Sequence, residues 1–231
     1  MLRTLLAAAL FAFASPALAV DRSYPVTDFD RVQIDGPYQV MLSTGGPSSA
    51  KASGDREAIE RVDVDVQGST LRIRANPSAW GGYPGAKTGS VTFTLTTRSL
   101  RAATVNGAGM LSVNKTRGLQ LDVSVVGSGR ATIAGIDADS LRATLLGSGS
   151  LQLAGKAGML RTELHGSGSL DAVALSAADV TVFADTAGQV RLTATRSANV
   201  TSNGLGDVEV AGSAACTVKQ LGSGRVRCGG N

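Results

Sequence analysis

Aromatic side chains are scarce in this sequence. Five phenylalanines, three tyrosines and one tryptophan serve 231 residues, beside 29 glycines. A globule of this length normally fills its core with rings. A core of small aliphatic and β-branched residues implies narrow, regular layers instead. Histidine occurs once, at His165, and cysteine twice, at Cys216 and Cys228. The Lys and Arg residues are scattered without a basic run, so a net charge of +4 does not point to nucleic acid. Long apolar runs are also missing, and no segment reaches the length of a membrane span. The apolar stretch Leu5 to Phe13 is short, follows Arg3, and leads to Ala17-Leu18-Ala19. This is the pattern of a secretory signal peptide over residues 1–19, with cleavage expected after Ala19. No Cys follows that point, so a lipid anchor is not expected. The chain is expected to be exported, with periplasm, cell surface and medium all open as its address.

What the sequence does have is a repeat. "VVGSGRATI" from Val125, "LLGSGSLQL" from Leu145 and "LHGSGSLDA" from Leu164 are near copies. Taking the first residue of each turn as a mark places marks at Gly107, Gly127, Gly147, Gly166, Thr186, Gly204 and Gly222. The intervals are 20, 20, 19, 20, 18 and 18 residues. Each triplet closes on a glycine, which is the second one in all but the degenerate Thr186-Ala187-Gly188: Gly109, Gly129, Gly149, Gly168, Gly188, Gly206 and Gly224. A sustained period near twenty is the signature of a repeat architecture.

The flanks repeat as well. Leu111, Ala131, Leu151, Leu170, Val190, Val208 and Val226 stand four residues after the mark. Leu121, Leu141, Leu160, Val180, Ala198 and Cys216 stand six before it. Polar residues alternate with both sets, the period of a half-buried strand. Each repeat therefore reads as strand, glycine turn, strand and a connector such as "AGIDADS". Equivalent residues that stack on successive coils form aliphatic ladders, and glycine at the corners takes positive φ without a Cβ penalty. The fold class is all-β: a parallel β-helix, or β-solenoid, with coils of about 18–20 residues, each stabilised mainly by its neighbours.

Residues 20–28 form a lead-in, and one domain is expected over residues 29–230. Residues 101–230 carry the array. Residues 29–100 lack the triplet but keep alternating strands, in "FDRVQID", "YQVMLS", "VDVDV", "LRIRA" and "VTFTLTT". "GDREAIERV" is the single helical candidate. This region is expected to cap the first edge, since an open sheet edge invites strand addition. Trp80 and Tyr83 sit in its longest Gly/Pro-rich loop, Asn76 to Gly89, either as a recognition platform or as a lid on the solenoid's end.

No catalytic constellation emerges. The glycines lie between strands with no helix following, so they do not form a phosphate cradle. Ser128, Ser148, Ser167 and Ser223 recur as a ladder, which a nucleophile does not require. His165 reads as a tolerated turn-flank residue. No cofactor and no metal site is expected, and no G-G-x-G-x-D series suggests a calcium roll. One surface stands out: stacking places Asp122, Arg142 and Arg161 on adjacent coils of one outer face. That face is either solvated surface or a grip for an acidic glycan. Cys216 and Cys228 lie six residues either side of Gly222, in positions that earlier repeats fill with inward aliphatics. They are expected to form a disulfide closing the last coil. Two buried thiols are the alternative.

The ordered series "FDRVQIDGPYQVMLSTG", "GDREAIERVDVDVQGSTLRIRA", "VTFTLTTRSLRAATVNGAG" and the Gly-Ser-Gly array resembles the auto-transporter adhesin, head GIN domain family of secreted bacterial proteins. The likeness spans Phe29 to Gly230 and implies a right-handed β-helix. It brings no catalytic motif. Together these readings lead to an exported, non-enzymatic adhesion or cell-envelope module with a glycan or protein partner. A carbohydrate-active β-helix and a self-associating subunit stand as the alternatives.

Overall fold

Burial along the array alternates with period two and breaks phase at three places in each coil. Leu121, Val123 and Val125 are buried before the glycine turn, and Ala131 and Ile133 after it. Ile136 and Ala138 follow a second break, and Leu141 restarts the cycle after a third. A strand that keeps one face inward changes phase only where it bends, so each coil has three sides. The computed structural model describes residues 20–76 and 91–229. The expected signal peptide, Trp80 and Tyr83 lie outside the described residues.

The strands run β1 (Val20–Tyr24), β2 (Arg31–Asp35), β3 (Gln39–Thr44) and β4 (Ser49–Gly54), then β5 (Val62–Gln67), β6 (Thr70–Ala75) and β7 (Val91–Thr97). The array follows as β8 (Ala102–Gly107), β9 (Met110–Val113), β10 (Thr116–Gly127), β11 (Arg130–Gly147), β12 (Ser150–Gly166) and β13 (Ser169–Thr186). It ends with β14 (Val190–Ser202), β15 (Val208–Ala211), β16 (Ala215–Gln220) and β17 (Val226–Cys228). From β8 onward neighbouring coils pair in parallel. The chain is a parallel β-solenoid.

The third side departs from the sequence expectation. The "AGIDADS" stretch is no connector: β11 runs through it, and Ile136 and Ala138 pair in register with Gly155 and Ala157. Its own alternation turns it into the third side. Changes of coil length fall at the bends on either side of side three, mostly at the one after side two. Ile133 faces Leu153, but Ile136 faces Gly155, so the shorter interval loses its residue there. As the interval drops to 18, the inward column two residues before the turn changes. Val125, Leu145 and Leu164 give way to Ala184 and Ser202, all buried. A shorter perimeter encloses less volume, and close packing demands smaller contents.

The triplet needs its two glycines for different reasons. Gly147 turns the chain at φ +115. Gly129 has no positive φ, but a Cβ there would stand 2.7 Å from the Gly109 carbonyl oxygen and 2.8 Å from Val105 Cγ1 on the coil below. The left-handed corner expected for the array holds at Gly107, Gly127, Gly147 and Gly166. It is corrected for Gly109, Gly129, Gly149, Gly168, Gly188, Gly204, Gly206, Gly222 and Gly224, where crowding by the previous coil excludes a side chain. At the degenerate triplet, the buried Thr186 hydroxyl donates to the Gly168 carbonyl at 2.9 Å and accepts from the Gly188 N–H at 3.0 Å.

Residues 29–100 do more than cap. β2 and β3 form a true coil around Gly36, a turn whose second glycine is replaced by Tyr38. That coil is inserted between the β6–β7 level and the β8–β9 level: β2 pairs with β6 and β8, and β3 with β7 and β9. Spatial order therefore departs from chain order. The cap itself is narrower than expected, consisting of antiparallel β5 on β6, antiparallel β4 on β7, β1 on β4, and α1 (Arg56–Glu60). Asp55 caps α1 by accepting from the Glu57 N–H at 3.0 Å, while Ala58 and Ile59 are buried. At the other end β16 and β17 each pair on one side only among the described residues. Cys216 and Cys228 are joined there by a disulfide.

Candidate functional site

The outward residues of side one stack into columns because the register is held from coil to coil. Five residues before the turn the column reads Arg31, Ala102, Asp122, Arg142 and Arg161. The expected Asp122–Arg142–Arg161 line thus exists as a register. It does not act as one group. Arg161 Nε donates to Glu163 Oε1 on its own strand at 3.1 Å, which engages its fork. Arg142 is exposed and has no ion-pair or hydrogen-bond partner among the described residues.

The surface instead dips on the other side of Asp122. Ala102 contributes only a methyl group between Arg31 and Asp122, and the short side chain leaves a depression of about 370 Å³. Arg142, Asp122, Gln120 and the hydroxyl column Thr104, Ser124 and Thr144 line it. A second hollow of about 200 Å³ shares Ala102, Gln120 and Asp122 and adds Arg31 and Arg101. Gln120 Nε2 donates to Asp122 Oδ2 at 3.0 Å, fixing the carboxylate and leaving its other oxygen open. Asp30 stands behind the two remaining cations, 3.9 Å from Arg31 and 3.5 Å from Arg101. Those distances are ion pairs rather than hydrogen bonds, so both guanidiniums keep donors to spare.

The backbone beneath is firmly held. The Arg101 N–H donates to the Asp30 carbonyl at 2.7 Å, and the Asp122 N–H to the Arg101 carbonyl at 2.9 Å. The second hollow therefore lies on the seam where the inserted β2 coil meets the array, and the larger depression lies beside it on β8, β10 and β11. Arg31, Arg101, Ala102 and Gln120 were not among the residues singled out from the sequence. The signal was present: taking Gly36 as a turn mark puts Arg31 five residues before it, in the same column as Asp122 and Arg142.

The remaining candidates do not converge. Ser128, Ser148, Ser167 and Ser223 are exposed, and the backbone N–H of Ser148 belongs to the coil ladder, donating to the Gly127 carbonyl at 2.9 Å. His165 Nδ1 lies 3.6 Å from Asp185 Oδ2, with its ring 5.5 Å from that of Phe183. Among the described residues no group of three or more His, Cys, Asp or Glu is placed to hold a metal ion. No described helix is long and apolar enough to cross a membrane.

Stacked coils with glycine corners define the class: a parallel β-solenoid. The chain belongs to the family described as "Putative auto-transporter adhesin, head GIN domain", whose model matches residues 28–214. Solved structures share the fold. A protein from Bacteroides fragilis titled a putative adhesin is 21% identical with a TM-score of 0.84, over 90% of this chain and 96% of that one. A protein from Parabacteroides distasonis titled a putative lipid binding protein is 17% identical with a TM-score of 0.71, over 94% and 98%. A second from that organism, titled a putative adhesin, is 19% identical with a TM-score of 0.67, over 91% and 97%. At such identities the likeness extends to the fold alone. No curated protein matches the sequence.

Proposed function

We propose that this protein is an exported, non-enzymatic adhesion or cell-envelope binding module, which uses the rigid outer face of side one to hold its ligand. The observation that carries this reading is the unpaired Arg142 beside Asp122 on a pre-formed sheet surface. A cationic fork with no internal partner, next to an acceptor held in place by Gln120, offers directed hydrogen bonds without reorganisation. Family membership and the Cys216–Cys228 disulfide support export, since disulfides persist in oxidising compartments. Binding of purified residues 20–231 to envelope preparations tests the proposal. Saturable binding that survives washing is the expected result, and its absence would remove the reading.

A carbohydrate-active solenoid is the second reading, favoured by the same hollow with its carboxylate and cations. Chromatography of oligosaccharides after prolonged incubation separates the two. Shortened products that disappear in Asp122→Asn would favour the enzyme; recovery of intact chains favours the binding module.

A further inference from the structure

We infer that the hollow over Ala102 is a subsite for a sparsely charged acidic glycan, with one carboxylate on Arg142 and sugar hydroxyls on Asp122, Gln120 and the Thr104–Ser124–Thr144 column. This deepens the binding-module reading and rests on it. Three features of the site select that chemistry. Arg142 supplies a planar fork that matches a carboxylate in two parallel hydrogen bonds. Asp122, its neighbour in register, carries a negative charge beside the same hollow, and Glu163 adds another one coil further on. A densely charged ligand would meet these carboxylates; a ligand with one acid group among neutral hydroxyls would not. Asp122 then accepts from those hydroxyls through the oxygen that Gln120 leaves open. The third feature is the column Thr104, Ser124 and Thr144, which offers a donor-acceptor hydroxyl on each successive coil, about 4.8 Å apart along the solenoid axis. The ligand chain accordingly lies along that axis, across the seam, with Arg31 and Arg101 at its far end.

Charged rim residues alone would grip any polyanion. Ala102 makes the difference, because any longer side chain at that register position fills the floor between Arg31 and Asp122. Its substitution therefore tests the shape of the site without touching a charge.

The test uses residues 20–231 on an array holding oligogalacturonate, oligomannuronate, sialyllactose, neutral galactan and heparin, with affinities then measured by calorimetry. Sialyllactose, with one carboxylate among neutral hydroxyls, is expected to bind, with galactan, heparin and the two polyuronates, which carry a carboxylate on every sugar, at least tenfold weaker. Arg142→Ala and Ala102→Leu should each weaken the favoured probe tenfold or more, while Arg130→Ala, on side two, should leave it unchanged. Asp122→Asn should raise heparin binding by removing the like charge. Melting curves keep misfolded variants out of the comparison, and Arg142→Lys provides a milder change if Arg142→Ala proves unstable. Failure to bind sialyllactose, or equal or tighter binding of heparin or either polyuronate, would overturn the inference. So would indifference to both Arg142→Ala and Ala102→Leu. Envelope binding that persists in those variants would overturn this subsite while leaving the binding-module reading intact.

Discussion

The two ends of the solenoid solve the same packing problem with different side chains. Toward the N-terminus the coils enclose Phe93, Ile34, Ile73 and Leu95, all fully buried. Tyr38 packs its ring edge-on against Phe93 at 5.8 Å. Toward the C-terminus the coils lose two residues of circumference and enclose Ala184, Ala194, Ala198 and Ser202. The first end is closed by antiparallel strands and α1. At the second, Val218 remains 43% exposed although it stands in a column that is buried in earlier coils. Among the described residues no further coil pairs with β16 and β17, and the disulfide between Cys216 and Cys228 ties the two strands together. The comparison teaches that coil length, core volume and end closure are coupled: a wide coil needs bulk, and a narrow one needs little but gains little from burial.

The largest expected effect lies at the N-terminal end. Phe93→Ala should cost about 3–5 kcal/mol, through lost transfer energy and a cavity that the stacked backbone is unable to collapse. The reciprocal change tests the narrow coils. Ala184→Leu should cost about 1–3 kcal/mol by overpacking. Val125→Leu, three coils earlier, should cost less than about 1.5 kcal/mol, because Leu145 and Leu164 already occupy that column. Chemical denaturation of the three variants reads these differences directly. Equal costs for Ala184→Leu and Val125→Leu would break the link between coil length and core volume.

The open end should depend on its crosslink. In the chain-entropy model, removing a bridge that spans 12 residues lowers stability by about 3 kcal/mol. Hydrogen exchange after Cys216→Ala with Cys228→Ala should show β16 and β17 losing protection first, while β2 and β3 remain protected. Uniform loss along the chain would mean that the end does not fray independently.

Glycine substitutions sharpen the comparison further. Gly129→Ala forces a Cβ against the Gly109 carbonyl, whereas Gly68→Ala, at φ +62 with nothing within 4 Å, meets only backbone strain of about 1–2 kcal/mol. The melting temperature should fall further for Gly129→Ala.

The smallest effect is electrostatic. Hydrogen bonds from Arg196 and then Ser197 hold the Asp179 carboxyl down at about 2, well below the usual carboxylate range. A depressed carboxyl contributes its stability above the unfolded value, and that stability fades as pH falls from about 4 toward 2. Asp179 is open to solvent, so the contribution is screened and small. Asp179→Asn should flatten this part of the acid unfolding curve, and an unchanged curve would show that the pair adds nothing measurable.

Glycine marks and alternating aliphatics made the array legible because both are local: a corner and an inward face are imposed on the residues that form them. The disulfide was legible for the same reason, its two cysteines flanking one turn. The helix start at Asp55 needed only its cap. The insertion of the β2–β3 coil was not legible, since nothing in "RVQID" or "QVMLS" states which strand will lie above and which below. Nor was the third side, because a chain that keeps its alternation through a bend looks like a connector with aliphatics in it. The sequence alone determined the period, the inward columns, the glycine corners and the register that aligns Asp122 with Arg142. Only the tertiary structure decided that Arg161 turns to Glu163, that Ala102 lies between Arg31 and Asp122, and that a hollow opens at the seam. Those outcomes depend on pairing between strands far apart in the chain, and hydrogen bonds between backbones carry no record of sequence distance.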